Sequence, residues 1–546
     1  MRIVILLFTL ISTIGISNAQ KLPILGWPES VKVSTDQADF VLSSNNHLQW
    51  TNDGIEVTFT ELKGLMNVDL RSPAKHVKTV KISWALPQNE SSLYLGDHWE
   101  RSYGDLCWEK SDPARIMPWY FLVYDGAVCK GYGVMTGCNS FASWETGKDS
   151  LSLTLDTRNG TKGVKLGARV LRAAEIVCYP GKSGENAFNS AVNFCKLMCP
   201  NPRLPKQPVY GINDWYFAYG KNSAELIMET VNLMAPLAKN KKNLPFCVID
   251  DGWSKKDTGI KYNWCSNYAE PNPVTFGDMA LLAAKIKAAG MRPGLWSRPL
   301  CASQNEKPEN VLSRTRGSRQ QILDPTVPAN LEKITNYFKT YQKWGYDMVK
   351  HDFTSFDIFG KWGGQMLKDR EMTTGDWNFS DQSRTSAEVI TGLYRTIRQA
   401  SGDMYLIGCN TIGHLAAGYF KLQRSGDDTS GREWARTRKM GVNTLAFRAC
   451  QHNTFFAVDG DCVGLTTDIP WELNKQWLQL VAESGTPLFI SAQPKALGKV
   501  QKDAIEKCFS IAARPVKIGQ PIDWMVSETP SEWILLGKKV RFNWGK

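Results

Sequence analysis

The sequence lacks the motifs of the common metal and nucleotide sites. Its six histidines form no HExxH arrangement, and none of its 13 cysteines belongs to a CxxC pair, so neither a zinc hydrolase nor a zinc-binding thiol pair is indicated. The glycine-rich run 131–137 misses the spacing of a dinucleotide-binding loop. Asp459-Gly460-Asp461 lacks the other ligands of an EF-hand loop and fits a turn better than an ion site. We therefore expect no metal ion and no cofactor.

Long apolar runs are absent after the first 20 residues. That first run follows Arg2 and ends in the small-x-small sequence Ser17-Asn18-Ala19, which predicts a secretory signal peptide, residues 1–19, cleaved after Ala19. No later run is long and apolar enough to cross a bilayer. We therefore expect an exported protein, secreted or periplasmic, without a membrane span.

A concentrated basic surface is absent as well. The net charge is +12, but lysine and arginine are scattered, and nucleic-acid binding needs a basic stripe or a known module. We therefore expect no nucleic-acid partner. Tryptophan, in contrast, is abundant, with 20 residues. Flat indoles suit the apolar faces of sugar rings, although a large β-rich protein also buries tryptophan in its core.

The pattern along the chain divides it into three parts after the signal peptide. A chain of 546 residues is too long for one compact core, so two or three domains are expected. Residues 20–199 show short alternating segments such as Leu151-Ser152-Leu153-Thr154-Leu155, separated by Asn-Gly turns, which predict a β-sandwich. Residues 200–495 alternate between strand and helix signals, and residues 496–546 return to strand signals, which predict a small C-terminal β domain.

The middle part predicts a (β/α)₈ barrel. Its candidate strands are 209–213, 246–249, 291–295, 347–350, 404–409, 420–424, 455–458 and 487–490. The fifth and sixth are joined by the shortest connection. Polar residues follow six of these strands: Asn213-Asp214-Trp215, Asp250-Asp251-Gly252-Trp253, Trp296-Ser297-Arg298, Lys350-His351-Asp352, Cys409-Asn410-Thr411 and Arg424-Ser425-Gly426-Asp427-Asp428. Catalytic residues of such barrels lie at these carboxyl ends of the strands.

Two of these acids suit the hydrolysis of a glycosidic bond. One carboxylate attacks the anomeric carbon and must stay ionised, which a neighbouring cation favours; the other protonates the leaving oxygen. Asp352 fits the first role, because side chains alternate along a strand and Lys350 therefore lies on the same face. Asp427 fits the second role, although Arg424 works against a raised pKa there and could instead bind a substrate hydroxyl group.

Four motifs together resemble the α-galactosidase clan, glycoside hydrolase families 36 and 27. They are Asp250-Asp251-Gly252-Trp253, Gly294-Leu295-Trp296, Lys350-x-Asp352 and Ser425-Gly426-Asp427-Asp428-Thr429. The order of sandwich, barrel and C-terminal β domain is also similar to that of family 36. The resemblance implies a retaining mechanism with Asp352 as nucleophile and Asp427 as acid/base.

The resemblance also implies how the sugar is bound. Asp250 and Asp251 match the paired acids that hold the 4- and 6-hydroxyl groups of galactose, and Lys350 and Arg424 resemble sugar-binding cations. We expect Trp215 or Trp296 to form a stacking wall, and add Trp253 and Asn410 to the substrate-binding candidates. In family 36 the sandwich domain lends residues to the site, which assigns that role to the loop 96–108. Its candidate residues are Asp97 and Trp99; an exposed loop with internal salt bridges is the alternative.

The sequence departs from the family next to the nucleophile. Phe353-Thr354-Ser355 stand where family 36 has Met-Asn-Arg, His351 replaces an aromatic residue, and Gly426 stands where Ser is common. Because residues near the nucleophile contact the 2-hydroxyl group, the sugar stays open between an α-galactoside and a β-L-arabinopyranoside. The expected partner is an oligosaccharide or polysaccharide. Glycosyl transfer of the raffinose-synthase type and a non-catalytic carbohydrate-binding protein are the alternatives.

Overall fold

The computed structural model describes residues 25–545 apart from residues 88, 241, 257–265, 304 and 319. The predicted signal peptide, residues 1–19, lies outside this range. Among the residues that are described, no helix is long and apolar enough to cross a membrane. The domain boundaries drawn from the sequence remain predictions.

Two antiparallel sheets pack face to face in the first part of the chain. The first has the strand order Asp39–Val41, Ser30–Thr35, Val77–Ala85, Ser150–Asp156, Phe141–Thr146, Met117–Pro118, and the second the order Gln49–Asn52, Ile55–Leu62, Leu65–Arg71, Leu171–Tyr179, Cys129–Val134, Tyr120–Tyr124, Leu93–Leu95. The alternation predicted at Leu151, Leu153 and Leu155 is confirmed, because all three are buried while their neighbours are partly exposed. Phe121 of one sheet contacts Trp144 of the other, with ring centroids 5.7 Å apart. This is the packing of a sandwich.

A nine-segment parallel sheet forms the middle part. Its strands, in chain order, are Tyr210–Asn213, Phe246–Ile249, Arg292–Ser297, Met348–His351, Tyr405–Gly408, Leu422–Arg424, Ala457–Asp459, Cys462–Leu465 and Leu488–Ala492. Leu488–Ala492 pairs with both Tyr210–Asn213 and Cys462–Leu465, so the chain's last barrel strand lies beside its first. All pairings are parallel, and the buried strands are nearly all apolar, as expected for a sheet covered on both faces.

The two ends of this sheet are halves of one interrupted strand. Ala457–Asp459 pairs with Leu422–Arg424, whereas Cys462–Leu465 pairs with Leu488–Ala492. Only Gly460 and Asp461 separate the two halves, so the sheet closes on itself as a barrel does. Asp461 has a φ of +71°, a conformation that few side chains adopt. Its carboxylate accepts hydrogen bonds from the Thr429 backbone and hydroxyl groups, which stabilise the interruption.

Helices cover the outside of the barrel, and their ends follow local sequence signals. The longer ones are Ala224–Met234, Met279–Ala288, Pro328–Trp344, Ser386–Ala400, Trp471–Glu483 and Lys499–Ala512. Thr385 and Glu388 form a capping box at the start of Ser386–Ala400, and Gly345 ends Pro328–Trp344 with a φ of +90°. The connection between the fifth and sixth strands contains only the short helix Gly413–Ala416, which is why the sequence showed a weak signal there.

Shorter elements complete the chain. Ala187–Met198 is a helix that follows the sandwich, and Trp215–Ala218, Thr354–Phe359, Gly363–Asp369, Trp434–Thr437 and Thr444–Arg448 are short helices in loops of the barrel. Single turns of 3₁₀-helix lie at Ala235–Leu237, Pro308–Asn310, Ser313–Thr315, Ala449–Gln451 and Pro494–Ala496, and Arg438–Asn443 is a π-helix. Two-stranded sheets join Ser254–Lys256 to Ser266–Pro271 and Cys301–Ala302 to Gln321–Ile322.

The C-terminal part begins with a helix rather than a strand. Lys499–Ala512 packs beside Trp471–Glu483 on the barrel, and Phe509 contacts Tyr210 of the first barrel strand. Only then do Gln520–Pro521, Glu532–Leu535 and Lys538–Arg541 form a three-stranded antiparallel sheet. The expectation of β structure from residue 496 therefore holds only for the final residues, because the preceding segment has an apolar face that the barrel buries.

Candidate active site

A cavity of about 570 Å³ lies at the carboxyl ends of the barrel strands. It is lined by Arg101, Tyr103, Trp215, Asp250, Asp251, Trp296, Lys350, Asp352, Phe353, Trp362, Gly364, Gln365, Asp427, Asp428 and Arg436. Seven of the residues proposed from the sequence are in this set: Trp215, Asp250, Asp251, Trp296, Lys350, Asp352 and Asp427. The first barrel strand, the second, the third, the fourth and the sixth each place at least one of them there.

Asp352 is held ionised and in one orientation. Its Oδ1 accepts hydrogen bonds from the backbone N–H groups of Phe353 (2.7 Å) and Asn410 (3.0 Å), and its Oδ2 accepts one from Trp296 Nε1 (3.0 Å). Burial alone would raise the pKa of this carboxyl group, but the charges of Arg101 and Lys350 lower it below the usual value. A buried, ionised and oriented carboxylate is what a nucleophile requires.

Asp250 and Asp251 line the same cavity from the end of the second barrel strand. Asp250 Oδ2 accepts hydrogen bonds from Lys350 Nζ (2.8 Å) and Asn213 Nδ2 (2.7 Å), so Lys350 joins the second and fourth barrel strands. Asp251 Oδ1 accepts the N–H of Gly252 (2.8 Å), and burial raises the pKa of Asp251 to about 6. With a pKa of about 6, Asp251 is ionised at neutral pH and offers carboxylate oxygens to hydroxyl groups.

The loop 96–108 from the sandwich enters the barrel mouth. Asp97 anchors it, because Arg448 Nη2 lies 2.5 Å from Asp97 Oδ1 and Gln451 Nε2 donates to Asp97 Oδ2 (2.8 Å). Ser102 then pairs with the chain after the sixth barrel strand: its N–H donates to Ser425 O (3.1 Å), and the N–H of Asp427 donates to Ser102 O (2.9 Å). These bonds place Arg101 and Tyr103 in the cavity.

Two arginines hold Asp427. Arg101 Nη2 lies 2.7 Å from Asp427 Oδ1, and Arg436 Nη2 lies 2.7 Å from Asp427 Oδ2. Each carboxylate oxygen of Asp427 therefore has its own charged donor, a strong arrangement that joins the sandwich loop to the barrel.

Asp428 follows Asp427, and its carboxylate has longer contacts with arginine and is more exposed than that of Asp427. Its Oδ1 lies 3.3 Å from Arg424 Nη2 and 3.8 Å from Arg101 Nη1, and 35% of its side chain is exposed, compared with 18% for Asp427. Although burial acts in the opposite direction, Arg424, Arg101 and Lys350 lower the pKa of Asp428 to about 2. The charge of Asp428 in turn raises the pKa of Asp352, so the two carboxyl groups are electrostatic neighbours.

Five proposed residues lie outside the cavity lining. Trp253 is fully buried behind Trp296 and donates its Nε1–H to the Trp296 carbonyl oxygen (2.8 Å). Arg424 is paired with Asp461 at 2.8 Å. Asn410 contributes its backbone N–H to Asp352, while its side chain accepts the N–H of Phe356.

The two loop residues named from the sequence also support rather than line the cavity. Asp97 binds Arg448 and Gln451, and Trp99 is buried, with its Nε1–H donated to the Ala142 carbonyl oxygen (2.9 Å). Charge and aromatic content indicated the loop correctly, but not which of its side chains point inward.

Sequence reasoning did not assign eight of the 15 lining residues, two of which, Gly364 and Gln365, belong to the short helix Gly363–Asp369. Arg101 and Tyr103 lay within the indicated loop, and Asp428 lay within the sixth-strand motif, so both patterns contained a usable signal. Phe353, Trp362 and Arg436 are brought in by loops of the barrel, and no sequence spacing indicated them. Of these, Phe353 has a left-handed backbone with a φ of +64°, which is uncommon for an aromatic residue and aims its N–H at Asp352.

Within the described ranges, no group of three or more His, Cys, Asp or Glu side chains could hold a metal ion. Asp459 and Asp461, the acids of the strand interruption, instead interact with protein groups: Asp461 accepts hydrogen bonds from Thr429 and Tyr216, and the N–H of Asp461 donates to Asp459 Oδ1 (3.0 Å).

Glu100 gives the protein a predictable pH dependence of stability. It is buried, and its Oε2 accepts hydrogen bonds from Gly363 N (2.6 Å) and Tyr103 Oη (3.0 Å). Burial raises its pKa from 4.5 to about 7, against the lowering effect of Arg101. The folded state therefore binds this proton more tightly than the unfolded chain, and the contribution of Glu100 to stability falls as the pH rises from about 4.5 to 7, by on the order of 3 kcal/mol.

We expect Glu100→Gln to lose the part of the pH dependence that Glu100 contributes, so that its urea-unfolding midpoint falls less, or rises more, than that of the wild type between pH 5 and pH 8. Glu90→Gln, at an exposed glutamate, is the matched control and should keep the wild-type slope. Equal slopes in all three proteins would show that Glu100 does not cause the effect.

Comparison with known proteins identifies the fold. No family model and no curated sequence matches the chain. Among solved structures it is similar to the α-galactosidase of Thermus thermophilus bound to p-nitrophenyl α-D-galactopyranoside, with 16% identity over 94% of this chain and 98% of that one and a TM-score of 0.57. A family 36 α-galactosidase from Geobacillus stearothermophilus has 13% identity over 88% and 75% of the two chains and a TM-score of 0.59. The galactosidase domain of an α-galactosidase–sucrose kinase has 14% identity over 90% and 70% and a TM-score of 0.58. The chain has an α-galactosidase-like fold.

Proposed function

We propose that the protein is a retaining exo-glycosidase that hydrolyses terminal α-galactosides or closely related sugars. The observation that carries this proposal is the placement of Asp352. It is ionised, its two oxygens are oriented by Trp296 and two backbone N–H groups, and it lies in one cavity with Asp427 and Asp428. Retaining glycoside hydrolases use such a carboxylate as nucleophile together with a second carboxyl group nearby.

The reaction then has two steps. In the first, Asp352 attacks the anomeric carbon while a carboxylic acid on the sixth-strand side gives its proton to the glycosidic oxygen, and the bond to the leaving group breaks. In the second, the same carboxyl group, now ionised, takes a proton from water, whose oxygen displaces Asp352 from the anomeric carbon. Asp427 is the acid/base that the sequence motif assigns, and Asp428 competes for the role because its carboxylate is less engaged.

The residues proposed to bind the sugar support galactose, or a sugar of the same ring stereochemistry, as the substrate. Asp250 and Asp251 line the same cavity as Asp352, and Trp215 and Trp296 add apolar surface to it. Similar structures have been solved with p-nitrophenyl α-D-galactopyranoside and with stachyose, which supports an oligosaccharide with a terminal α-galactosyl unit as the partner.

A panel of aryl glycosides tests the proposal. We expect turnover of p-nitrophenyl α-galactoside, weaker turnover of the β-L-arabinopyranoside, and none of the α-glucoside, whose inverted 4-hydroxyl group cannot reach the acidic pair. Proton NMR of the first product should show the α-anomer, since two displacements retain configuration. A preference for the arabinoside would show that the natural substrate is a β-L-arabinopyranoside rather than an α-galactoside. Binding without turnover would favour a carbohydrate-binding protein. Product formation only with an added acceptor sugar would favour glycosyl transfer.

We also propose that the enzyme works outside the cytoplasm, because residues 1–19 have the pattern of a signal peptide. N-terminal sequencing of the protein from its native host should begin at Gln20. A mature protein that begins at Met1 would contradict export by this route.

A further inference from the structure

Asp214 lies behind the acidic pair Asp250 and Asp251 and outside the cavity. It follows the first barrel strand, it is only 3% exposed, and it is not among the residues that line the cavity. Its Oδ1 accepts the backbone N–H of Asp250 at 2.7 Å, and its Oδ2 accepts a hydrogen bond from Asn222 Nδ2 at 2.6 Å. Resting on the proposed function, we infer that Asp214 and Asn222 are positioning residues, which hold the acidic pair in the orientation that binds the hydroxyl groups of the sugar.

A series of hydrogen bonds connects Asp214 to both acids of the pair. Asp250 Oδ1 accepts the N–H of Asp251 at 2.9 Å, and Asp251 Oδ1 accepts the N–H of Gly252 at 2.8 Å. Together with the Asp214 bond, three carboxyl groups therefore each accept one N–H of the turn that follows the second barrel strand. Because the first of these bonds orients the peptide group of Asp250, its loss lets the backbone of both sugar-binding residues shift.

Asn222 holds the same turn from a second direction. Its Nδ2 also donates to the carbonyl oxygen of Asp251 at 3.1 Å, so one amide group joins Asp214 to the turn. Gly252 allows this close approach, because its φ is +116° and a Cβ there would lie 2.4 Å from Asn222 Oδ1. The segment after the first barrel strand thus binds the N–H of Asp250 and the carbonyl oxygen of Asp251 at the same time.

The cost of burying Asp214 indicates a role in the site rather than in the fold alone. Burial and the charge of Asp250 raise the pKa of Asp214 to about 7, although its hydrogen bonds act in the opposite direction. A buried carboxyl group beside a second one is unfavourable for folding, and a neutral side chain could also accept a single N–H. Carboxyl groups perturbed in this way are concentrated at functional sites.

Removing single hydroxyl groups from the substrate tests this role. We expect kcat/KM of the wild type to fall about 10–100-fold on the 4-deoxy and 6-deoxy forms of p-nitrophenyl α-galactoside, because each loses a hydrogen bond to a charged acid. In Asp214→Ala these penalties should shrink about 3–10-fold, within the coupling found inside one hydrogen-bond network, since the displaced pair holds the hydroxyl groups less well. The penalty for the 2-deoxy form, whose missing group is not assigned to the pair, should be the same in both proteins.

Two further variants follow from the same contacts. Asp214→Asn keeps an oxygen for the N–H of Asp250, and Asn222 Oδ1, which has no hydrogen-bond partner in the described part of the chain, can turn to accept from the new amide. This variant should therefore recover part of the 4-deoxy and 6-deoxy penalties. Asn222→Ala should reduce both penalties as Asp214→Ala does, and it provides the same measurement if Asp214→Ala does not fold.

Asp324→Ala is the matched control. Asp324 is also buried, at 1% exposed, and it accepts the backbone N–H groups of Thr326 and Ser380, both at 2.8 Å, without lining the cavity. Its loss should lower the unfolding midpoint and leave the three deoxy penalties at their wild-type values.

The outcomes separate the positioning role from the proposed function. Equal 4-deoxy and 6-deoxy penalties in the wild type and in Asp214→Ala would assign Asp214 a structural role and overturn the inference, whatever activity is lost. A wild type that turns over no galactoside would contradict the proposed function instead. In that case calorimetric affinities for methyl α-galactoside and its 4-deoxy and 6-deoxy forms decide the inference: penalties that shrink in Asp214→Ala support it, and equal penalties or no binding overturn it.

Discussion

Replacing Asp352 with asparagine is expected to lower turnover of p-nitrophenyl α-galactoside by roughly 10⁴–10⁶-fold, the scale on which loss of a covalent nucleophile reduces catalysis. The change removes the negative charge of the attacking carboxylate and the hydrogen bond that its Oδ2 accepts from Trp296 Nε1. The hydrogen bonds from Phe353 and Asn410 can still be accepted by the amide oxygen, so the fold should survive. Steady-state rates together with the unfolding midpoint measure both halves of this expectation.

Asp347→Asn is the matched control for that experiment. Asp347 precedes the same strand at its other end and lies on the surface, paired with Arg292 at 3.4 Å and Lys287 at 3.6 Å. Such exposed pairs contribute little to stability, so activity should stay within about twofold.

In Asp352→Gly, azide can enter the space left by the carboxylate and attack from the same face, giving the β-galactosyl azide. Full activity of Asp352→Asn on the aryl galactoside would show that Asp352 is not the nucleophile.

The second large effect distinguishes two adjacent acids. We expect Asp428→Ala to show the signature of a lost acid/base: a drop of about 10²–10⁴-fold on poor leaving groups such as a sugar or methanol, and little change in the bond-breaking step with a dinitrophenyl group, which leaves without help. Azide should rescue this variant and give α-galactosyl azide. Asp427→Ala should instead lose activity to a similar degree on all leaving groups and gain nothing from azide, because its carboxylate is occupied by Arg101 and Arg436.

The physical reason lies in the contacts of the two carboxyl groups. A proton donor needs an oxygen that can carry the proton and face the substrate, and both Asp427 oxygens lie 2.7 Å from a guanidinium nitrogen. Only one oxygen of Asp428 contacts an arginine, but the charges of Arg424, Arg101, Lys350 and Arg436 lower the pKa of Asp428 to about 2. Its role as an acid therefore requires proton uptake when the sugar fills the cavity. Calorimetric titration with a galactose analogue in two buffers of different ionisation enthalpy measures that uptake. The reverse pattern of leaving-group effects would return the role to Asp427, as the motif assigns it.

Several features of the site were readable because strand geometry relates sequence to space directly. Alternation along a strand placed Lys350 and Asp352 on one face, and parallel strands in a barrel bring their carboxyl ends to one mouth. That reasoning placed Asp250, Asp251, Trp296 and Asp352 around one cavity, and the structure has them there. The same reasoning failed for Trp253 and Arg424, because a residue at a strand end can also turn behind its neighbour or pair with a buried acid.

What the sequence determined by itself was local: the strand and helix periods, the caps and the acids at strand ends, all set by interactions between residues close in the chain. Only the tertiary structure decided which side chains meet across the cavity. Asp97 and Trp99 support the sandwich loop, while Arg101 and Tyr103 from the same loop enter the site, because the pairing of Ser102 with the sixth-strand loop fixes the direction of each side chain. Contacts between segments hundreds of residues apart depend on how complete surfaces pack, and no local spacing carries that information.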